Sequence, residues 1–541
     1  MPPPAPQPDP QPQPDPQPDP NPPQTDGKVE LSGTISYRRP RGVPSTGGLN
    51  YATLETKPVR GVLVQLVDGS GNLVDGGLTD DQGRYALSAD SGETVRVRVL
   101  SRTVSPDESD ADWSLSVVDN TDANAIYVLQ GGLSVADTDA RRDLVAQVGT
   151  DARGNVTGER QAAPFSILDD MYSAIQRVVE VDADVVLPAI DVGWSPENRS
   201  AQGNREIGEI GTSSFVRRSD GTRGIFILGD AGVDADEFDS SVVIHEWGHY
   251  FEDAVSRSDS IGGPHSLRSL LDARVALGEG FGNAWSGIVR EDPIYRDASG
   301  PREQGGFSFS LEDGPADFDL EPGWFSEFSV QSILYDIADA DADAGDRLSE
   351  GFAPIYAALT SETYLQTPAY LSVFALAEAL RETSPGLAGD VNRLLEREEI
   401  AITGDFGSEE TKTGGVSESI PLYRTLPLDG TSVSFCSVAD AGEFNRIGNR
   451  QFFRVNVPSP REVTFRVSNT SRPTGANRSD PEFALNRRGT LVALATSNLA
   501  DSETLTIELA ADTYVLDAYA FANINEDDPD QGQYCFEISA R

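Results

Sequence analysis

Lysine, histidine, cysteine and methionine are scarce in this chain of 541 residues. It holds three histidines, two cysteines and two methionines, and of its 42 basic residues only Lys28, Lys57 and Lys412 are lysines. Against 87 acidic residues the formal net charge is −45. A surface of that sign repels phosphate backbones and anionic lipid, which argues against nucleic acid and membrane surfaces as partners. An acidic, lysine-poor surface suits a salty milieu, and a biased genome composition produces the same pattern. No window of 18 or more apolar residues exists, so no membrane-spanning helix is expected. The N-terminus also lacks the charged-then-apolar pattern of a secretory signal.

What the N-terminus carries instead is MPPPAPQPDPQPQPDPQPDPNPPQ. Residues 1–26 read as an extended polyproline stalk that cannot pack a core. Such a stalk suits a mature protein whose signal has been removed, and it commonly follows a lipidated cysteine. The expected location is extracytoplasmic, either secreted or held at the surface or in the periplasm as a lipoprotein. The two cysteines, Cys436 and Cys535, stand at the two ends of one β-rich segment. They are either unrelated buried thiols or a disulfide, and their placement favours the disulfide. Closing a loop of that length stabilises by at most ~4–5 kcal/mol and implies an oxidising compartment.

The chain is long enough for several domains. Residues 27–103 alternate apolar and polar with turn residues between the runs, and strands are expected at 29–37, 59–67, 84–87 and 94–100. This is the pattern of a small β-sandwich. Residues 104–430 change to helical periodicity, at 163–179, 239–255, 267–290, 329–338 and within 351–397. Short strands at 189–194, 214–217 and 224–228 precede the second of these helices, so the middle domain is expected to be α+β. From 431 to 541 strands return, at 451–457, 462–468, 491–496, 504–509 and 514–520. The expected fold is multidomain: a β-sandwich, a central α+β domain and a second β-sandwich.

The chemistry concentrates in His245-Glu246-Trp247-Gly248-His249. Asp239 or Ser240 suits a helix start, and Val242, Val243 and Ile244 give the helix an apolar body. His245 and His249 then lie one turn apart on one face, where two imidazoles reach a single metal ion. Glu246 sits beside that face, placed to take a proton from a water. Composition alone produces such a spacing in roughly a few chains per thousand. Two histidines leave zinc short of a third protein ligand. Position 255, where a further histidine would extend the motif, is Val255. Glu252 lies two turns after His245 but is expected to point past the metal. The better third ligand is Glu279, in Ala276-Leu277-Gly278-Glu279-Gly280-Phe281-Gly282-Asn283. A lone carboxylate on an apolar, glycine-rich helix is costly unless something binds it.

These motifs carry a resemblance. HEWGH followed by GEGFGNAW resembles the gluzincin zinc metallopeptidases, in particular the fungalysin pattern of HExxH followed by G-E-G. The resemblance implies a zincin fold for 104–430, Zn2+ held by His245, His249 and Glu279, and Glu246 as catalytic base. Ser326-Glu327 with Gln331-Ser332-Ile333-Leu334-Tyr335-Asp336 resembles a downstream helix of the same group. The wider run also resembles uncharacterised bacterial secreted or lipoprotein metallopeptidases. Residues 57–89, with Pro58-Val59-x-Gly61-Val62-x-Val64-x-Leu66 and Thr79-Asp80-x-x-Gly83-x-Tyr85, resemble the carboxypeptidase regulatory-like (transthyretin-like) domain. Residues 431–541 resemble the pre-peptidase C-terminal β-sandwich.

The chain departs from the group in two places. Asn283 stands where the group has an Asp that orients a zinc histidine, and an Asn carbonyl accepts the same N–H while making the imidazole less basic. The group also has a histidine downstream of the third ligand, which binds the oxyanion, whereas all three histidines here precede Glu279. His265, in a Gly-Gly-Pro loop, is one replacement, and Tyr335 and Arg274 are others; each taken singly also suits a structural role. Asp339-Ala340-Asp341-Ala342-Asp343 with Glu350 mimics a calcium loop, so Ca2+ is a second cofactor reading, but Ala344 and Asp346 break its pattern and an acidic solvated loop fits as well. The functional expectation is a monomeric zinc endopeptidase acting on protein or peptide, with lipid anchoring through the stalk. Its rivals are a surface binding or adhesion module with a structural or vestigial zinc site, and a zinc hydrolase of cell-wall peptides.

Overall fold

The computed structural model describes residues 27–339, 348–497, 501–526 and 528–541. The proline-rich stalk lies outside them, as does most of the segment read as a calcium loop. Among the described residues no helix is long and apolar enough to cross a membrane. The protein is multidomain and rich in β-structure, with five sheets among the described residues.

The first long strand, Lys28–Gly42, buries alternate residues in its first half, as period-2 patterning requires. It pairs antiparallel with Leu49–Pro58 and Arg84–Asp90, and parallel with Ala140–Arg141 and Leu144–Ala146. A second sheet runs through Leu73–Leu78, Val62–Asp68, Glu93–Val104 and Ser114–Asp119. It continues without a break into Ile190–Trp194, Arg223–Ile227 and Ser214–Arg217. Residues 27–103 therefore share a sheet with the central region instead of closing on themselves. One apolar core includes Leu31, Val64 and Val97 from the first part and Val243, Trp285 and Leu334 from the second. The physical reason is the segment Leu115–Val118, buried along its whole length: such a strand needs cover on both faces. Ile190–Trp194 pairs with it in parallel, and helix α1 (Ala162–Val179) packs over the sheet.

Three further helices build the centre: α2 (Ser240–Ala254), α3 (Ala273–Arg290) and α4 (Glu327–Ala338). Asp239 occupies the N-cap position of α2, yet its carboxylate accepts from Ala298 N at 3.0 Å and not from the helix. Ser241 Oγ likewise accepts from Arg296 N at 3.0 Å, so the first turn of α2 is tied to the strand Ile294–Ser299. Helix α3 begins six residues later than its periodicity suggests. Asp272 caps it by accepting from Arg274 N at 3.0 Å, and Leu271 N is already committed to Phe325 O at 2.8 Å. Every residue of α3 from Ala273 to Val289 is buried, which makes it the central helix of the domain.

The C-terminal unit is a β-sandwich. One sheet orders Tyr423–Thr425, Arg450–Val457, Asp512–Ala520, Pro481–Arg487 and Thr490–Ala495; the other orders Val433–Ser437, Tyr534–Ala540, Arg461–Ser471 and Ser502–Leu509. Its own core interleaves Phe435, Phe465 and Phe536 of one sheet with Phe453, Phe483 and Leu516 of the other. The expected strand at 491–496 is one arm of a hairpin whose other arm, Pro481–Arg487, is too mixed in polarity to read from sequence. Cys436 and Cys535 are disulfide-bonded and face each other across adjacent antiparallel strands.

Arg274, offered by sequence as a catalytic candidate, is instead the anchor of this sandwich. It pairs with Asp272 at 2.8 Å and with Asp517 at 3.2 Å, and its guanidinium lies 4.3 Å over Tyr370 and 4.8 Å over Phe452. The tie between Cys436 and Cys535 holds two strands that share one core, so Cys436→Ser with Cys535→Ser should lower the stability of the C-terminal unit by about 2–4 kcal/mol. Scanning calorimetry of the full chain should show its transition moving down, and an unmoved transition would contradict a stabilising role.

Candidate metal centre

His245 and His249 project from α2, and Glu279 from α3 meets them. His245 Nε2 lies 3.0 Å from His249 Nε2 and 3.1 Å from Glu279 Oε2, and His249 Nε2 lies 3.4 Å from the same oxygen. Two ring nitrogens and a carboxylate oxygen gathered at one point make a donor set that a metal ion can take. A tetrahedral ion with bonds of about 2.0–2.1 Å places its donors near about 3.3 Å apart, and the three separations bracket that value. The donor set, two imidazoles and one carboxylate, is one that zinc takes. The residues fit the ion that the sequence implies.

Close helix approach makes the convergence possible. A Cβ on Gly282 would sit 2.8 Å from the His245 ring, and one on Gly280 would sit 2.5 Å from Val330 of α4. Gly282 stands three residues after Glu279, on the same face of α3, so the small residue admits the imidazole that the carboxylate meets. Behind the ligands, Asn283 Oδ1 lies 3.0 Å from His245 Nδ1, which leaves Nε2 free to bind the ion. Glu252 is buried and lies 3.5 Å from His249 Nδ1, a long contact that still gives that ring a carboxylate behind it. The sequence places Glu252 past the metal, toward a partner or solvent, and the structure has it on the far nitrogen of His249.

Glu246 lies next to the trio, and its Oε2 accepts from the backbone N–H of Phe215 at 2.7 Å. Phe215 belongs to Ser214–Arg217, the terminal strand of the ten-stranded sheet. Burial raises the Glu246 pKa, with His245 and His249 acting against the rise and Glu279 adding to it. Glu279 goes the other way: burial opposes its charge, but His265 and His249 hold it well below the usual carboxylate range.

His265 joins the cluster and Tyr335 does not. His265 Nε2 lies 3.1 Å from Glu279 Oε2, and its Nδ1 lies 2.8 Å from Glu327 at the start of α4. The loop that carries it is held by the C-terminal unit: Asn445 Nδ2 donates to Gly262 O at 2.8 Å and Pro264 O at 3.1 Å, and Arg446 donates to Pro264 O at 2.8 Å. Tyr335 packs its ring against Gly287, two turns beyond Glu279 along α3, where its phenol faces Glu312, Asp339 and Arg290. A different tyrosine is near the trio. Tyr295 sets its ring edge-on to His245 with centroids 6.3 Å apart, and it stacks on Phe309, which stacks on half-exposed Phe307. Neither Tyr295 nor the Phe215 amide carries a sequence signal, because both reach the site through strand pairing.

No protein-family model matches the sequence, and no curated protein matches it. Solved structures give likenesses of low TM-score. The pre-peptidase C-terminal domain of a Bacillus anthracis collagenase is 13% identical over 22% of this chain and 94% of that domain, with a TM-score of 0.17. A surface-associated copper-binding protein of Methylomicrobium album BG8 is 8% identical over 22% of this chain and 98% of its own, with a TM-score of 0.16. The periplasmic inhibitor of g-type lysozyme from Aeromonas hydrophila is 11% identical over 22% of this chain and 97% of its own, at 0.14. At these scores the likenesses carry no argument, and the β-sandwich rests on its own strand pairing.

Burial works against the His265 imidazolium in the metal-free chain, yet Glu279 and Glu327 push its pKa up to about 9. An unfolded histidine titrates near about 6.5. The stability that His265 contributes is thus complete below about pH 6.5 and is lost as pH rises through about 9. Thermal melts of the metal-free protein should show Tm falling across that window, and falling less in His265→Gln. Identical slopes for the two would place His265 outside the carboxylate pair.

Proposed function

We propose that the protein is an extracytoplasmic zinc-dependent endopeptidase with a zincin-like central domain. The observation that carries this reading is the convergence of His245 Nε2, His249 Nε2 and Glu279 Oε2 within 3.0–3.4 Å, with a buried Glu246 beside them. When bound, zinc supplies Lewis acidity, drawing electron density from a carbonyl and making a water nucleophilic near neutral pH.

Glu246 is the general base. Buried beside the trio, it is placed to take the water's proton and later give it to the leaving amine. The Phe215 N–H fixes one of its oxygens and leaves the other for the water. The strand Ser214–Arg217 ends its sheet, so an extended peptide can lie along its free edge in the strand-addition mode and bring a scissile bond to Glu246. Tyr295, Phe309 and Phe307 offer an apolar ledge beside His245, which suits substrates with apolar or aromatic side chains. His265, already donating toward Glu279 and Glu327, is the cationic group nearest the trio and takes the role of charge stabiliser. The Cys436–Cys535 disulfide supports an oxidising, extracytoplasmic setting.

The test is Glu246→Gln in the zinc-loaded full chain, read with a peptide library. Turnover should fall by about 10²–10⁴-fold while bound zinc stays at the wild-type level. Cleavage at the wild-type rate would overturn the assignment. Glu279→Ala should lose tight zinc binding, and retention of it would remove Glu279 from the ligand set.

A further inference from the structure

A second group of carboxylates lies apart from the zinc cluster, on the elements that lead into α2. Asp234 opens the second arm of the hairpin Gly229–Asp230 and Asp234–Ala235, Asp236 opens the turn that follows, and Asp297 lies on the neighbouring strand Ile294–Ser299. One oxygen from each lies within 4.8 Å of the others. Donors on a shell of about 2.3–2.6 Å radius are never more than about 5 Å apart, and the trio meets that requirement for sharing one ion.

Proximity of acidic groups alone says little, but three carboxylate oxygens here are buried and unpartnered. Asp236 is 3% exposed; its Oδ2 accepts from Ser213 Oγ, while its Oδ1 has no hydrogen-bond partner. Glu303, 1% exposed, gives Oε1 to Gly232 N at 2.8 Å and leaves Oε2 without one. Asp234 Oδ1 is buried and unpartnered as well. A buried carboxylate oxygen without a donor costs several kcal/mol unless a cation or proton meets it. The charged groups acting most strongly on Asp236 are Asp297, Asp234 and Asp239, all acidic. Burial pushes Asp297 up to about 7 and Glu303 up to about 8, with Asp234 adding to both.

We propose that Asp234, Asp236 and Asp297, with Glu303 beside them, form a binding site for Ca2+ that fixes the entry to the zinc helix. The donors are all oxygen, which selects a hard cation over zinc, and they come from a hairpin, a turn and a strand edge, an irregular set that Ca2+ accepts more readily than Mg2+. On one side Asp236 stands four residues before the first residue of α2, Ser240. On the other the site shares its strand with Arg296 and Ala298, whose amides bind Ser241 and Asp239. An ion here ties both ends of that junction together. The site is separate from the acidic segment that reads as a calcium loop in the sequence, and it does not depend on the peptidase reading.

The experiment uses the intact chain in calcium-free buffer, with Tb3+ as a luminescent probe and CaCl2 as competitor. Tyr295 is buried beside Asp297 and Asp236 and serves as the sensitiser. Wild type should give sensitised Tb3+ emission that Ca2+ displaces, and CaCl2 in the millimolar range should raise Tm by a few degrees where NaCl of equal ionic strength does not. Asp236→Asn and Asp297→Asn should lose the sensitised emission and weaken the Ca2+-dependent shift by about 100-fold in midpoint concentration. Without calcium, Asp236→Asn should melt at or above wild type, because it removes a buried charge. If Asp236→Asn fails to fold, the less buried Asp234→Asn gives the same readout. Equal Ca2+ shifts in wild type and the variants would overturn the site, as would wild type without displaceable Tb3+.

Discussion

Glu279 projects from a helix whose neighbouring residues are apolar or glycine, and it is 5% exposed. A carboxylate in that position is strongly destabilising unless cationic or metal partners surround it. The centre of the domain is arranged around that need. Its one oxygen, Oε2, meets His245, His249 and His265 at 3.1, 3.4 and 3.1 Å. All three histidines of the chain are thereby spent on a single acceptor, which is a poor investment for stability alone and a sensible one for holding a divalent ion.

Several distant parts of the chain are needed to bring these groups together. Helix α2 is stitched at its first turn to the strand Ile294–Ser299, α3 is approached closely because Gly280 and Gly282 lack a Cβ, and α4 supplies Glu327 behind His265. The edge strand Ser214–Arg217 orients Glu246 through a backbone amide. The C-terminal sandwich enters through Asn445 and Arg446, which hold the loop before His265. The sandwich is anchored on Arg274 at the start of α3, the same helix that carries Glu279.

Much of this centre is legible without coordinates because it follows local rules. Four-residue spacing puts His245 and His249 on one helix face, and the cost of a lone carboxylate in an apolar run singles out Glu279. Asn283 as the group behind His245 comes from the resemblance, in which the residue four after the glutamate orients a zinc histidine. The parts that sequence hides are those made by long-range pairing. Nothing in residues 62–68 or 93–104 announces that their sheet continues to 190–194 and 223–227, because strand periodicity reports which face is buried and not which strand lies alongside. The Phe215 amide, the Asn445 side chain and the Tyr295 ring are invisible for the same reason. Tyr335 shows the reverse error: its place in a motif helix suggests chemistry, while the packing of α4 on Gly287 turns its ring elsewhere.

The central claim is that the two histidines of α2 and Glu279 hold one zinc ion, with His265 bound to the carboxylate and not to the metal. Zinc-edge X-ray absorption on the full chain, with zinc stoichiometry, addresses it directly. The account predicts one zinc per chain, with only light scatterers at about 2.0–2.2 Å and the outer-shell signature of two imidazoles. A chain that takes up no zinc, or a spectrum requiring three imidazoles, would contradict it.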